Sequence, residues 1–259
     1  MNLGGRTALV TGASGGLGQA IARGLARRGA DLVLTARRVE VLESLAAETG
    51  GRIVPCDLAD RDAVERLAAE SGPVDVLIAN AGVSVAGRVE RSSIEEIDRV
   101  LDVNLRAPMV LSRLLCEGMA ERGGGHIVFI SSLNGKVGTV RTSIYAATKF
   151  GLRGFAQSLR EDLRSSDVGV STIFPGFIRG AGMFHDSGVK LPPYVGTKSP
   201  DDVARAVIRA IERDRSEIDV APLGLRVGTA IASLIPETAA NVQRKLGAGK
   251  IASQYENGD

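Results

Sequence analysis

Two kinds of apolar pattern alternate along the chain. Short, mostly apolar runs occupy residues 7–10, 31–35, 52–56, 74–79, 125–130, 168–174 and 217–221, and each predicts a strand. Between them the apolar positions return at helical spacing, as in Ala20, Ile21 and Leu25, or Phe150, Leu152, Phe155, Leu159 and Leu163. Helices are predicted after residue 18, over 39–48, 61–70 and 95–119 with an interruption near Asn104, over 145–163, and from Pro200 to about residue 213. Arg27, Arg28 and Gly29 close the first helix with basic residues and a glycine stop. Ser199, Pro200, Asp201 and Asp202 open the last with a serine cap, a proline at the first position and acids in the first turn. Repeated strand-helix alternation predicts an α/β fold, a Rossmann-type doubly wound parallel sheet of about seven strands with right-handed crossovers. No repeat or low-complexity linker divides it, so residues 1–259 are read as one domain.

Composition narrows the partners. With 44% hydrophobic residues the chain can bury a large core, and a net charge of +2 with 3% aromatics and no Trp argues against nucleic acid. Cys56 and Cys116 lie far apart without a C-x-x-C, which predicts free buried thiols in a reducing compartment rather than a disulfide or zinc site. His126 and His185 are the only histidines, too few for a metal cluster, and His126 is expected to be structural. The N-terminal residues lack a signal-peptide run and no stretch has transmembrane length, so the expected location is cytoplasmic.

Candidate chemistry gathers at strand ends. Gly12-x-x-x-Gly16-x-Gly18 follows the first strand and opens a helix, where glycine lets the backbone approach a pyrophosphate and unpaired N–H groups favour the anion. This spacing differs from G-x-G-x-x-G, and an ordinary tight turn is the competing reading. After the second strand stand Arg37 and Arg38, where an acid would bind ribose hydroxyls and an arginine accommodates a 2′-phosphate. The reading is NADP(H) over NAD(H), with Arg37 the first contact and Arg38 the second; two solvated arginines is the alternative. Asp57 and Asn80 end strands on the adenosine side, or serve only as turn formers. Ser131 and Ser132 end the fifth strand. Tyr145 and Lys149, four apart on a helix, bring a phenol beside an ammonium, and the fixed charge favours the phenolate. Residues 177–198, with Met183, Phe184, His185, Leu191, Pro192, Pro193 and Tyr194, form a lid candidate suited to a mainly apolar substrate. In residues 223–259, Leu223, Leu225, Val227, Ile231, Leu234 and Ile235 make an apolar band, read as a packing surface for the body or a second subunit, with peripheral membrane contact as the lesser alternative.

Thr11, Gly12, Gly16 and Gly18, then Asn80, Ala81 and Gly82, Asn104, Ser132, Tyr145-x-x-x-Lys149, and Pro175 with Gly176 together resemble the short-chain dehydrogenase/reductase superfamily in order and spacing, in its compact single-domain branch. The resemblance covers nearly the whole chain to Ala221. It implies that Tyr145 exchanges a proton with a carbonyl or alcohol oxygen, that Ser132 binds that oxygen, and that Lys149 holds the nicotinamide ribose and lowers the tyrosine pKa. Asn104 would position a water linking Lys149 to solvent. The dinucleotide would lie against Gly12, Ser14, Gly16, Leu17, Gly18, Arg37, Arg38, Asp57, Leu58, Asn80, Ala81, Gly82, Tyr145, Lys149, Pro175, Gly176 and the backbone around Ile178. Gly180 stands where relatives often carry Thr, and Arg179 is the alternative phosphate contact. A homodimer or homotetramer is implied through the long helices over 95–119 and 145–163. The expected activity is NADP(H)-dependent interconversion of a carbonyl and a secondary alcohol. An NAD-dependent alcohol dehydrogenase, or a non-catalytic dinucleotide sensor, is the alternative.

Overall fold

The computed structural model describes residues 1–85, 87–186, 188, 191 and 195–245. Seven parallel strands form one sheet: β1 Thr7–Thr11, β2 Asp31–Thr35, β3 Arg52–Ile53, β4 Val76–Ala79, β5 Gly125–Ile130, β6 Val168–Pro175 and β7 Glu217–Val220. Their spatial order is β3-β2-β1-β4-β5-β6-β7, so the chain reverses direction across the sheet between β1 and β4. At such a switch point the flanking connections part, leaving a crevice beyond the strands' carboxyl ends.

Ten helices are present among the described residues: α1 Gly16–Ala26, α2 Val39–Thr49, α3 Arg61–Glu70, α4 Ile94–Leu101, α5 Ala107–Glu121, α6 Ser143–Asp162, α7 Met183–Asp186, α8 Pro200–Arg213, α9 Leu223–Leu234 and α10 Pro236–Lys245. One core layer joins Ile21 and Leu25 of α1 to Val207 and Ile211 of α8 against one sheet face. Gly24 permits the close approach: a Cβ there would stand 3.2 Å from the Ile208 Cδ1. The other layer joins Leu67 of α3, Leu111 and Met119 of α5 and Leu152 of α6 to the opposite face. Each such fully buried side chain contributes about 1.5–3 kcal/mol. The β4 and β5 strands, covered on both sides, are buried along their whole length and fix the catalytic edge on a rigid floor.

Several expectations take a different form. The predicted strand over 52–56 shortens to Arg52–Ile53. The Val54 and Cys56 amides still donate to the Leu34 and Ala36 carbonyls, but Pro55 between them has no N–H to give and the strand lies at the sheet edge. Cys56 is buried as expected, whereas Cys116 is only half-buried. The segment 177–198, read as irregular, contains the short helix α7, and its base is tied down by a parallel bridge between Ile178 and Lys198. Pro192, Pro193 and Tyr194 of that segment lie outside the described residues, as do residues 246–259 of the tail. Only part of the apolar tail band meets the body: Leu225 is half-buried, whereas Leu223 is 71% exposed and Leu234 82%. The serine cap read at Ser199 starts α8 as a capping box with Asp202, and a second box, Ser93 with Glu96, starts α4.

Candidate active site

A cavity of about 1360 Å³ runs along the carboxyl edge of the sheet from Arg37 to the tail. It is built from the segments that follow all seven strands: the glycine turn after β1, the loops after β2, β3, β4 and β5, the segment after β6 and the tail after β7.

The glycine turn is shaped by three contacts that a side chain would prevent. Gly12 has a φ of +63°, and a Cβ there would meet the Ala81 backbone at 2.8 Å; at Gly18 it would meet the Gly12 carbonyl at 2.3 Å. At Gly16 it would run into the Ala181 Cβ from the segment after β6, so the turn carries that segment directly above it. Bare amides at the start of α1 face this space, an arrangement suited to a pyrophosphate. Thr11 completes the frame, its hydroxyl donating to the Ile78 carbonyl and accepting from the Asn80 and Ala81 amides. Asn80 spends its side-chain amide on the Thr11 and Gly12 carbonyls, bracing β4 against the glycine turn. It therefore shapes the site by holding backbone, and it lines the cavity as well.

Arg37 and Arg38 part company. The Arg38 guanidinium donates to the Ser14 carbonyl at 2.7 Å, locking the loop after β2 to the glycine turn. Arg37 is exposed at the cavity rim and has no hydrogen bond or ion pair among the described residues. Asp57 is paired with Arg99 of α4 at 3.3 Å and accepts the Ala59 amide. Burial alone would raise its carboxyl, but that amide and Arg99 hold it below its ordinary value, so it stays ionised near neutrality. Cys56, beside it, is pushed up to about 11 by burial and is an inert thiol.

At the other end, α6 starts at Ser143, so Tyr145 and Lys149 project one turn apart from its first turns. Lys149 is 2% exposed, its Nζ 5.5 Å from the Tyr145 ring centre. Burial pushes its ammonium down to about 8, leaving it mostly protonated at neutral pH. Among the described residues its one hydrogen-bond acceptor is the Ile130 carbonyl at 2.9 Å, and an ammonium has two further donors to offer a ligand. A Cβ at Gly82 would stand 3.6 Å from that Nζ, so the loop after β4 presents bare backbone to the same space.

Asn104 sits in a single π turn, Asp102–Arg106, between α4 and α5, which is the interruption the sequence shows. It is fully buried, with Oδ1 accepting from the Val83 amide and Nδ2 donating to the Val83 carbonyl, both at 2.8 Å. Nδ2 also reaches the Thr148 hydroxyl, which in turn donates to the Tyr145 carbonyl. Thr148 thus joins the π turn to the tyrosine's own backbone; it stands in no motif, and only its place between Tyr145 and Lys149 marks it. Ser132 caps a 3-10 turn, Leu133–Gly135, accepting the Asn134 amide. A Cβ on Gly135 would lie 2.7 Å from the Lys149 carbonyl, so this turn is pressed onto α6. Its far side is held by Lys136, whose Nζ is 2.6 Å from Asp219, 3.1 Å from Glu217 and 4.1 Å above the Phe174 ring. Arg153 of α6 shares Glu217 in a two-pronged pair. Sequence alone gives no sign of this cluster, because its members come from four separate stretches.

Ile178 is buried at the cavity wall beside Pro175 and Gly176. Gly180 has a φ of +79°, which a Thr would adopt only under strain, so the departure from the family pattern has a backbone cause. Arg179 donates to the Thr197 carbonyl across the base of the same segment, away from the phosphate contact offered for it. His185 pairs with its neighbour Asp186 on the exposed side. No group of His, Cys, Asp and Glu among the described residues is arranged to hold a metal.

This frame, an anion-binding glycine turn at one end and a buried ammonium beside a phenol at the other, suits a dinucleotide and one proton-transfer centre. Comparison with known proteins agrees. The short chain dehydrogenase family model matches residues 6–190. Ketoacyl reductase HetN of Nostoc sp. is 38% identical over 225 residues, covering 83% of this chain and 78% of that one. A crystal structure of a putative betaketoacyl-ACP reductase superposes with a TM-score of 0.76 at 31% identity, over 85% of this chain and 97% of the other. A metagenomic short-chain oxidoreductase solved in complex with NADP gives a TM-score of 0.72 at 37% identity, over 86% and 99%. The chain is an oxidoreductase of the short-chain dehydrogenase/reductase family.

Proposed function

We propose that the chain reduces a mainly apolar carbonyl compound to a secondary alcohol with NADPH. The observation that carries this reading is the meeting, in one cavity, of buried Lys149, Tyr145 and Ser132 with the glycine turn that would receive the pyrophosphate. NADPH, when bound, supplies the hydride. Gly12, Ser14, Gly16, Leu17 and Gly18 would hold its phosphates, Arg37 its 2′-phosphate, and Lys149 its nicotinamide ribose. Tyr145 donates the proton to the substrate oxygen, and Ser132 hydrogen-bonds that oxygen as charge develops on it. Lys149, as a cation, favours loss of the phenol proton and is resupplied through Asn104 and a bound water.

Arg37 favours NADPH because it is an exposed guanidinium at the cavity rim with no hydrogen bond or ion pair among the described residues. The NADP complex of the metagenomic relative points the same way. Leu133, Val137, Phe177, Met183 and Phe184 give the substrate end an apolar lining, and Phe177 meets Phe184 edge-on with ring centres 5.0 Å apart. The described residues of the 177–198 segment that line the cavity, 177–178, 180–186 and 195–196, would form the lid over it. The names of two relatives place acyl chains bearing a ketone first among substrates to try. The test is NADPH oxidation against 3-oxoacyl thioesters and simple long-chain ketones. Turnover with NADPH, and much less with NADH, is expected; cofactor binding without oxidation across both classes would remove the reading.

A further inference from the structure

We infer that α9 is an interfacial helix that rests on an anionic lipid surface and opens the substrate cavity toward it. The helix lies beyond residue 190, where the family match ends. Its twelve residues carry one charge, Arg226, and their apolar positions fall on two opposite sides of the helix, with Arg226, Thr229 and Ser233 along one flank. The inner side, with Leu225, Gly228, Thr229 and Ala232, lines the cavity. The outer side presents Leu223, Val227, Ile231 and Leu234, at i, i+4, i+8 and i+11, exposed by 71%, 50%, 52% and 82%, with Ile235 beyond them. A helix with apolar side chains on two opposite sides normally buries both, and here the outer side is left exposed.

Three features select lipid over a second copy of the chain. The outer face is five large side chains on a helix about 18 Å long, against roughly 20–30 residues a side in a stable protein pair. It has no pattern of donors and acceptors to set a register, and nondirectional apolar contact is what a bilayer offers. Its flank and the following helix carry exposed Arg226 and Arg244 against a single acid, Glu237, so the charge suits anionic headgroups. Since the opposite side of the same helix is a wall of the cavity, a long-chain carbonyl compound would pass from bilayer to active site along one helix. This route rests on the apolar-substrate reading above; the lipid contact does not.

The test is flotation of the full chain with phosphatidylcholine vesicles, with and without phosphatidylglycerol, for the wild type and the Leu223→Ser, Leu234→Ser double variant. Both positions are exposed and lie outside the cavity, so folding and NADPH binding should be unchanged. The wild type should float with the anionic vesicles and the double variant at least about tenfold less. Arg226→Glu should weaken binding to anionic vesicles alone. Equal partition of wild type and double variant, or no flotation of either, would overturn the inference. So would a fall in the particle mass of the double variant in solution, because the face would then join two copies. Flotation without any NADPH oxidation would leave the helix assignment standing and remove the proposed reaction.

Discussion

At the scale of single residues, the site divides its charges by what already holds them. Arg38 is spent on the Ser14 carbonyl, while Arg37 has no hydrogen bond or ion pair among the described residues, so Arg37 is the guanidinium we propose for a 2′-phosphate. Arg37→Asp should weaken NADPH binding about 10–100-fold, the scale of one charge-assisted hydrogen bond of ~1.5–3 kcal/mol, and leave NADH within a few-fold. Fluorescence titration with both nucleotides checks it, and equal losses for the two would refute it. The arginine pair, the glycines and the Tyr145 and Lys149 spacing were legible in the sequence because each is a local pattern. What sequence did not show was the use made of a side chain. Asn80 reads equally as ligand or turn former until its bonds to Thr11 and Gly12 are seen. Thr148 carries no signal beyond its place between Tyr145 and Lys149.

At the scale of elements, the 3-10 turn that carries Ser132 is clamped from both sides. Gly135 presses it onto α6, and Lys136 ties it to β7 through Asp219 and Glu217. Burial would raise the Glu217 carboxyl, but Arg153 and Lys136 hold it low, so the cluster stays ionised and intact near neutral pH. Lys136 is therefore a positioning residue for Ser132. Lys136→Met should lower kcat about 10–100-fold with NADPH affinity held within roughly twofold, and Lys136→Arg should restore most of it. Steady-state NADPH oxidation with a parallel cofactor titration separates the two effects; a change confined to KM would contradict the assignment. The Asn104 interruption was visible in the sequence as a broken helix, and the π turn is its structural form. The clamp was not, because residues 136, 153, 217 and 219 meet only once the sheet order is known.

At the scale of the whole molecule, a doubly wound parallel sheet follows from alternation of apolar runs, but its strand order and the placing of the tail do not. Its apolar band was read as a packing surface, and hydrophobicity alone cannot say which side of a helix meets the body. The end of the sheet opposite the catalytic edge has its own titration. His126 is 2% exposed and bonded to the Ser171 hydroxyl, which gives its own proton to the Arg215 carbonyl, so His126 donates from Nε2 and is neutral. Burial lowers its pKa to about 4, from an ordinary 6.5, although Asp214 pulls the other way. The unfolded chain therefore binds this proton first. Its contribution to stability is whole above pH 6.5 and is lost as pH falls to 4, roughly 3 kcal/mol in all. Denaturant unfolding of His126→Gln should show that much less acid loss across this window than the wild type; parallel curves would contradict it. The central claim is that Tyr145 is the proton donor of a carbonyl reductase, and its most direct measurement is NADPH oxidation by the wild type and Tyr145→Phe, with cofactor affinity measured beside it. Both proteins should bind NADPH within a few-fold of each other, with turnover about 10²–10⁴ slower in the variant. Wild-type turnover by Tyr145→Phe would contradict the account.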